Sequence, residues 1–135
     1  MEKNLNPFLI LTYEVPKEFK ASTNAIYSGI HWRKRKVIVD YFHWISFEDC
    51  REVGKIDFLI SLRFKFYFKS KYLDHLNLAF MSKAIEDWFV KNWLLDDDTN
   101  KFISEVNLKT VLLDKDFRKE MSFDYVEVEF YKEEI

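Results

Sequence analysis

Residues 58–69 read FLISLRFKFYFK, and this stretch determines the architecture of the chain. Its even-numbered residues are all apolar, whereas its odd-numbered residues include Arg63, Lys65 and Lys69. Because side chains alternate between the two faces of a strand, one face belongs to a core and the other is polar. The segment therefore predicts a long strand whose basic face meets water or a polyanion.

Two segments with a helical period flank this strand, one from Trp32 to about Glu48 and one from Leu76 to about Trp93. Both place apolar residues at intervals of three and four, which lines one side of a helix. The apolar side of the first helix is predicted to contain Val37, Tyr41, Trp44 and Ile45, widened by Ile38 and Phe42. That of the second is predicted to contain Met81, Ala84, Ile85 and Trp88.

Three further strands complete the predicted domain. Residues 8–15 form a short apolar run, and residues 102–113 and 121–131 alternate, joined as a hairpin by a turn around 115–116. The order β-α-β-α-β-β predicts an α+β domain with helices packed on a mixed sheet. With two Gly, two Pro and no linker-like tract, residues 1–135 are predicted to form a single domain.

Composition excludes several classes of protein. A chain that is 48% hydrophobic and 19% aromatic is too apolar to be disordered. No run approaches the length of a membrane span, and no signal peptide is evident. Cys50 is the only cysteine, so no internal disulfide can form and a cytoplasmic location is expected. Phosphate-binding glycine loops, zinc spacings and nucleophile elbows are absent from the sequence.

Basic residues are concentrated although the net charge is −2. The basic quartet Arg33-Lys34-Arg35-Lys36 opens the first predicted helix, and Lys69 and Lys71 follow the central strand. A nearly neutral chain can still carry a locally positive field. Such residues can grip a nucleic-acid backbone without reading its sequence. We therefore take these six residues as candidate DNA contacts.

Acidic residues flank the second predicted helix, with Asp74 before it and Asp96-Asp97-Asp98 after it. Mg²⁺ prefers oxygen ligands and can be anchored by one or two carboxylates. The acids at the two helix ends could hold such a cation if a strand end or loop folded them together. A helix N-cap at Asp74 and a solvated acidic loop explain the same residues, and residue types alone favour these interpretations.

The spacing of these residues resembles the RusA family of Holliday junction resolvases and their phage relatives. Residues 22–27 (STNAIY) resemble an early signature of the family, and residues 31–35 (HWRKR) resemble the start of its basic helix. Lys83 and Asp87 keep the family's Lys-to-Asp spacing, and Asp97-Asp98 follow Lys83 by the family interval. The resemblance spans nearly the whole chain, but it is specific only between residues 74 and 98.

One motif departs from the family pattern. The family's Asp-x-Asp-Asn reads Asp74-His75-Leu76-Asn77 here, so Leu76 stands where the second acid is expected. About three extra residues also separate Asn77 from Lys83. Asn77 offers an amide oxygen in place of the missing carboxylate.

The resemblance implies a Mg²⁺-dependent endodeoxyribonuclease that cuts branched double-stranded DNA at four-way junctions and acts as a homodimer. It implies catalytic roles for Asp74, Lys83 and Asp98, and metal ligands at Asp74, Asn77, Asp97 and Asp98. A chain with 14 Phe, 7 Tyr and 4 Trp is compatible with a dimer, since aromatics are enriched at interfaces. Two alternatives stay open: a non-catalytic DNA-binding relative, and a small protein-interaction module with solubilising acids.

Overall fold

The computed structural model describes residues 6–16, 32–69, 75–96 and 102–133, and only the backbone of 32–35 and 75–77. Strands and helices alternate along the chain. Their bounds are β1 Leu9–Val15, α1 Trp32–Val53, β2 Ile60–Tyr67, α2 His75–Lys91, β3 Ile103–Thr110, α3 Lys115–Glu120 and β4 Asp124–Lys132. None of these helices is long and apolar enough to cross a membrane.

The four strands form one mixed sheet in the order β1-β4-β2-β3. Strand β4 is antiparallel to both β1 and β2, whereas β3 is parallel to β2. The predicted α+β fold with helices packed on a mixed sheet is confirmed.

The predicted hairpin between the last two strands is wrong. Strand β2 separates β3 from β4, and helix α3 lies where the turn was expected. The physical reason is burial. Val126, Val128 and Phe130 of β4 are fully buried, so this strand occupies the middle of the sheet. Most of β3 is exposed, which suits an edge.

The even-numbered residues of β2 are buried as their alternation predicted. They share one core with the buried residues of α1 and α2. The predicted apolar side of α2 is also buried or partly buried at Met81, Ala84, Ile85 and Trp88. These two segments carry most of the core.

The predicted apolar side of α1 is rotated from the observed one. Val37 and Trp44 are 57% and 70% exposed, whereas the buried side carries Ile38, Phe42 and Cys50. Apolar residues lie on more than one side of this helix, so periodicity alone did not select the buried one. Contacts with α2 select the side of α1 that is buried. One of them is the hydrogen bond that the Trp88 indole donates to the carbonyl of Val39 at 2.6 Å.

Truncating side chains on the two sides of α1 should distinguish the observed orientation from the predicted one. Phe42→Ala should lower the free energy of unfolding by about 3–5 kcal/mol, because it leaves a cavity in the core. Trp44→Ala should change it by less than about 0.5 kcal/mol, because the side chain is mostly in water. Urea unfolding followed by circular dichroism measures both. Equal losses would contradict the orientation of α1.

Candidate functional site

Several predicted site residues lie outside the residues described. These are Asp74, Asp97, Asp98 and Lys71, together with the segment 22–27. Asn77 belongs to the first turns of α2, and Arg33, Lys34 and Arg35 belong to the start of α1, with only their backbones described. Lys36 is exposed on α1, and the side chains of Lys69 and Lys83 are fully described.

Helix α2 joins opposite ends of the sheet. It starts after the carboxyl end of β2 and runs back to the amino end. There the Ile56 amide donates to the Leu94 carbonyl at 2.8 Å. Asp96 lies at the same end, because its carboxylate is 2.6 Å from the Lys55 ammonium. A helix of 17 residues is about 25 Å long. The two ends of α2 are therefore held far apart within one chain.

Lys83 lies midway along α2, eight residues after His75 and eight before Lys91. Its ammonium is 3.1 Å from the Asp87 carboxylate, and both side chains are about half exposed. An exposed pair at this spacing stabilises a helix by only a few tenths of a kcal/mol. Lys83 is therefore a half-exposed cation on the surface of α2.

Lys69 has a structural set of partners. Its ammonium donates to the carbonyls of Arg118 at 3.5 Å and Lys119 at 3.2 Å, and also to that of Met121. Its backbone amide donates to the buried Asp124 carboxylate at 2.6 Å. Three carbonyls satisfy the three donors of an ammonium group. Lys69 therefore ties the carboxyl end of α3 to the end of β2, and its predicted role as a DNA contact stays a prediction.

A basic groove surrounds this anchor. Its volume is about 600 Å³, and it is lined by Lys69, Lys115, Arg118 and Lys119. At 100° per residue, the three cations of α3 lie on one side of the helix, and Asp116 and Glu120 lie on another. The groove thus presents positive charge beside the carboxyl end of β2.

The segment where the sequence predicts a turn also contains a signal for the helix that lines this groove. Asp114 caps α3, since its carboxylate accepts from the Phe117 amide at 2.8 Å. An Asp before a short polar segment is a helix-start signal. Interpreting residues 115–120 as a helix would have placed Lys115 and Lys119 side by side.

The odd-numbered face of β2 is less basic than its own sequence suggests. The neighbouring strand β4 brings Glu129 within 3.1 Å of the Lys65 ammonium. The Tyr131 hydroxyl donates to the same carboxylate at 2.8 Å, and the Arg63 guanidinium lies 5.5 Å from the Tyr131 ring centre. Strand β4 also places Glu129 opposite Arg63 and Glu127 opposite Lys65. Each of these two cations therefore has an acid beside it, which lowers the positive charge of this face.

Burial raises the pKa of several groups outside the groove. The pKa of the Cys50 thiol rises to about 12, because the side chain is buried and lies near Asp49. Burial also raises the pKa of Tyr13, with the Asp49 carboxylate as a second cause. A thiol with so high a pKa is a poor nucleophile at neutral pH. Cys50 is therefore a core residue.

No family model matches the chain, and comparison with curated proteins gives no match. Within the described parts of the chain, no three His, Cys, Asp or Glu residues are grouped so as to hold a metal ion. The predicted acidic ligands lie outside those parts. The resemblance to the RusA family therefore rests on the motif residues themselves.

Replacing Lys69 should test its role as an anchor. Lys69→Met should lower the free energy of unfolding by about 1–3 kcal/mol, because it removes charged hydrogen bonds to three carbonyls. Lys115→Met is the matched control in the same groove and should change stability by less than about 0.5 kcal/mol. Urea titration measures both. A neutral effect of Lys69→Met would return this residue to the set of free surface cations.

Proposed function

We propose that this chain is a Mg²⁺-dependent, structure-selective endodeoxyribonuclease that cleaves four-way DNA junctions, as its resemblance to the RusA family implies. The observation that supports the proposal best is the position of the basic groove. The groove lies at the carboxyl end of β2, and Asp74 is the fifth residue after Lys69 along the chain. Five residues of extended chain reach about 18 Å at most. A DNA backbone in the groove would thus pass close to Asp74.

The proposed metal ligands fit Mg²⁺ by their chemistry. Asp74, Asp97 and Asp98 supply carboxylates and Asn77 an amide oxygen, the donor types that Mg²⁺ prefers. Bound there, Mg²⁺ would activate water for attack on the phosphodiester and offset the charge that develops on it. Lys83 would add positive charge near the phosphate. Asp87 would orient Lys83, with which it forms an ion pair.

The length of α2 decides how these ligands meet. About 25 Å separate its two ends, and Asp74 precedes one end while Asp97 and Asp98 follow the other. We therefore propose that one site takes Asp74 from one chain and the Asp97-Asp98 pair from a second. A two-fold dimer then carries two identical sites, which suits the paired cuts needed to resolve a junction.

Neutralising the proposed ligands should abolish cleavage. Asp74→Asn and Asp98→Asn should each stop nicking of a synthetic four-way junction in Mg²⁺ while leaving junction binding within a few-fold, because each change removes a metal ligand and leaves the cations that bind phosphate in place. Asp96→Asn is the matched control, since Asp96 pairs with Lys55, and it should cleave normally. Lys83→Ala, assayed alongside, should cleave slowly.

Mixing the two inactive variants tests whether the site is shared. Mixed dimers of Asp74→Asn and Asp98→Asn chains contain one site with both aspartates intact, so nicking should return. If each chain builds its own site, the mixture stays inactive. Full activity in either single variant would reject that residue as a ligand. Binding without cleavage by the unaltered protein would favour the non-catalytic alternative.

The salt dependence of junction binding should locate the DNA surface. Changing the basic quartet, Arg33 to Lys36, to Gln should weaken binding and flatten the log-log salt slope by about 0.9 for each phosphate that the variant no longer neutralises. Lys115→Gln with Lys119→Gln should do the same if DNA enters the groove. Lys132→Gln, at the opposite end of the sheet, is the control. An unchanged slope in both altered sets would place the DNA elsewhere.

A further inference from the structure

We propose that two copies of this chain pair through β3, with the two strands antiparallel and the two-fold axis at Asn107. Strand β3 is an edge of the sheet, and in the part of the chain that the structure describes it pairs only with β2. An edge strand presents backbone donors and acceptors that a second strand can satisfy. A second copy of β3 is the partner that fits this edge.

The side chains of β3 are exposed on both faces. Glu105, Asn107 and Lys109 are exposed on the open face, and Val106 is 40% exposed on the helix face. Beyond the strand, Leu112 is 80% exposed. A parallel strand normally has both faces covered. Here the outer part of the apolar layer is left open at β3.

The sequence of β3 is complementary to itself in one register. When Asn107 faces Asn107, Glu105 stands opposite Lys109 and Val106 opposite Leu108. The two-fold axis makes each pair twice. Opposite charges facing each other across strands are favourable, as are apolar pairs. Centring the pair on Val106 or Leu108 instead keeps the faces matched but removes the Glu105–Lys109 pair.

The other edge of the sheet lacks this complementarity. Strand β1 paired antiparallel with itself about Thr12 would set Ile10 opposite Glu14, an apolar residue against a charge. The Glu14 carbonyl also already accepts from the Tyr41 hydroxyl at 2.8 Å. The comparison favours β3 as the edge that pairs.

Charge reversal tests the register. The unaltered protein should sediment as a dimer at micromolar concentration. Glu105→Lys and Lys109→Glu should each weaken dimerisation by about tenfold or more, since each places like charges opposite each other twice. Combining the two changes should restore the dimer. Glu14→Lys on β1 is the matched control and should dimerise normally.

A disulfide tests the geometry directly. Residues opposite each other in an antiparallel pair have Cα atoms about 4.5–5.5 Å apart, within the range of a disulfide. In a Cys50→Ala background, Asn107→Cys should form a cross-linked dimer on mild oxidation. Glu105→Cys should not, because its copy lies four residues along the strand, about 13 Å away.

Several results would overturn this interface. A monomeric unaltered protein, or single charge reversals that dimerise normally, would reject it. Loss of the dimer in Trp44→Lys with no effect of the β3 variants would move the interface to the exposed side of α1. These measurements need no DNA. A monomer would also remove the second chain that the shared metal site needs, whereas cleavage of the junction is tested only by the nicking assay.

Discussion

The apolar face of β2 must be covered, and this requirement determines where the other strands and the helices pack. Phe64, Phe66 and Phe68 have no exposed surface, and both neighbours of β2 are set by this requirement. Strand β4, which is apolar on the same face, takes the inner position, and β3 takes the outer one. The helices then cover the shared apolar face, and everything polar is displaced to the open face, the strand ends and the edge.

The parts of the fold that could be predicted from the sequence are those determined by a single segment. Alternation in residues 58–69 and the stripe on α2 were sufficient, because each element has one clearly apolar side. The rotation of α1 and the central place of β4 depend on which elements meet, which no single segment encodes. Lys69 looked like a surface cation because its partners are backbone carbonyls some 50 residues away. Every residue has a backbone carbonyl, so residue types cannot show which carbonyls accept from Lys69.

The direction of the strands links the two proposals. Strands β2 and β3 are parallel, so α2 must carry the chain from the carboxyl end of β2 back to the end of the sheet where β2 begins. The two ends of α2 therefore cannot meet within one chain. When two β3 strands pair antiparallel, the opposite ends of the two chains' strands lie side by side. The start of β3 in one chain then lies beside the end of β3 in the other, next to the carboxyl end of its β2. That is the juxtaposition that a site shared by Asp74 and a second chain's Asp97-Asp98 pair would require.

Charge placement reconciles a net charge of −2 with the DNA partner that we propose. The acids of β4 face the cations of β2 on the open side of the sheet, and Glu129 and Lys65 neutralise each other there. The cations of α3 instead share one side of a short helix, with its acids turned away. Long-range attraction to a polyanion depends on such local fields rather than on the total charge. A phosphate backbone would therefore be drawn to the carboxyl end of β2 and not to the sheet face, although that face carries arginine and lysine.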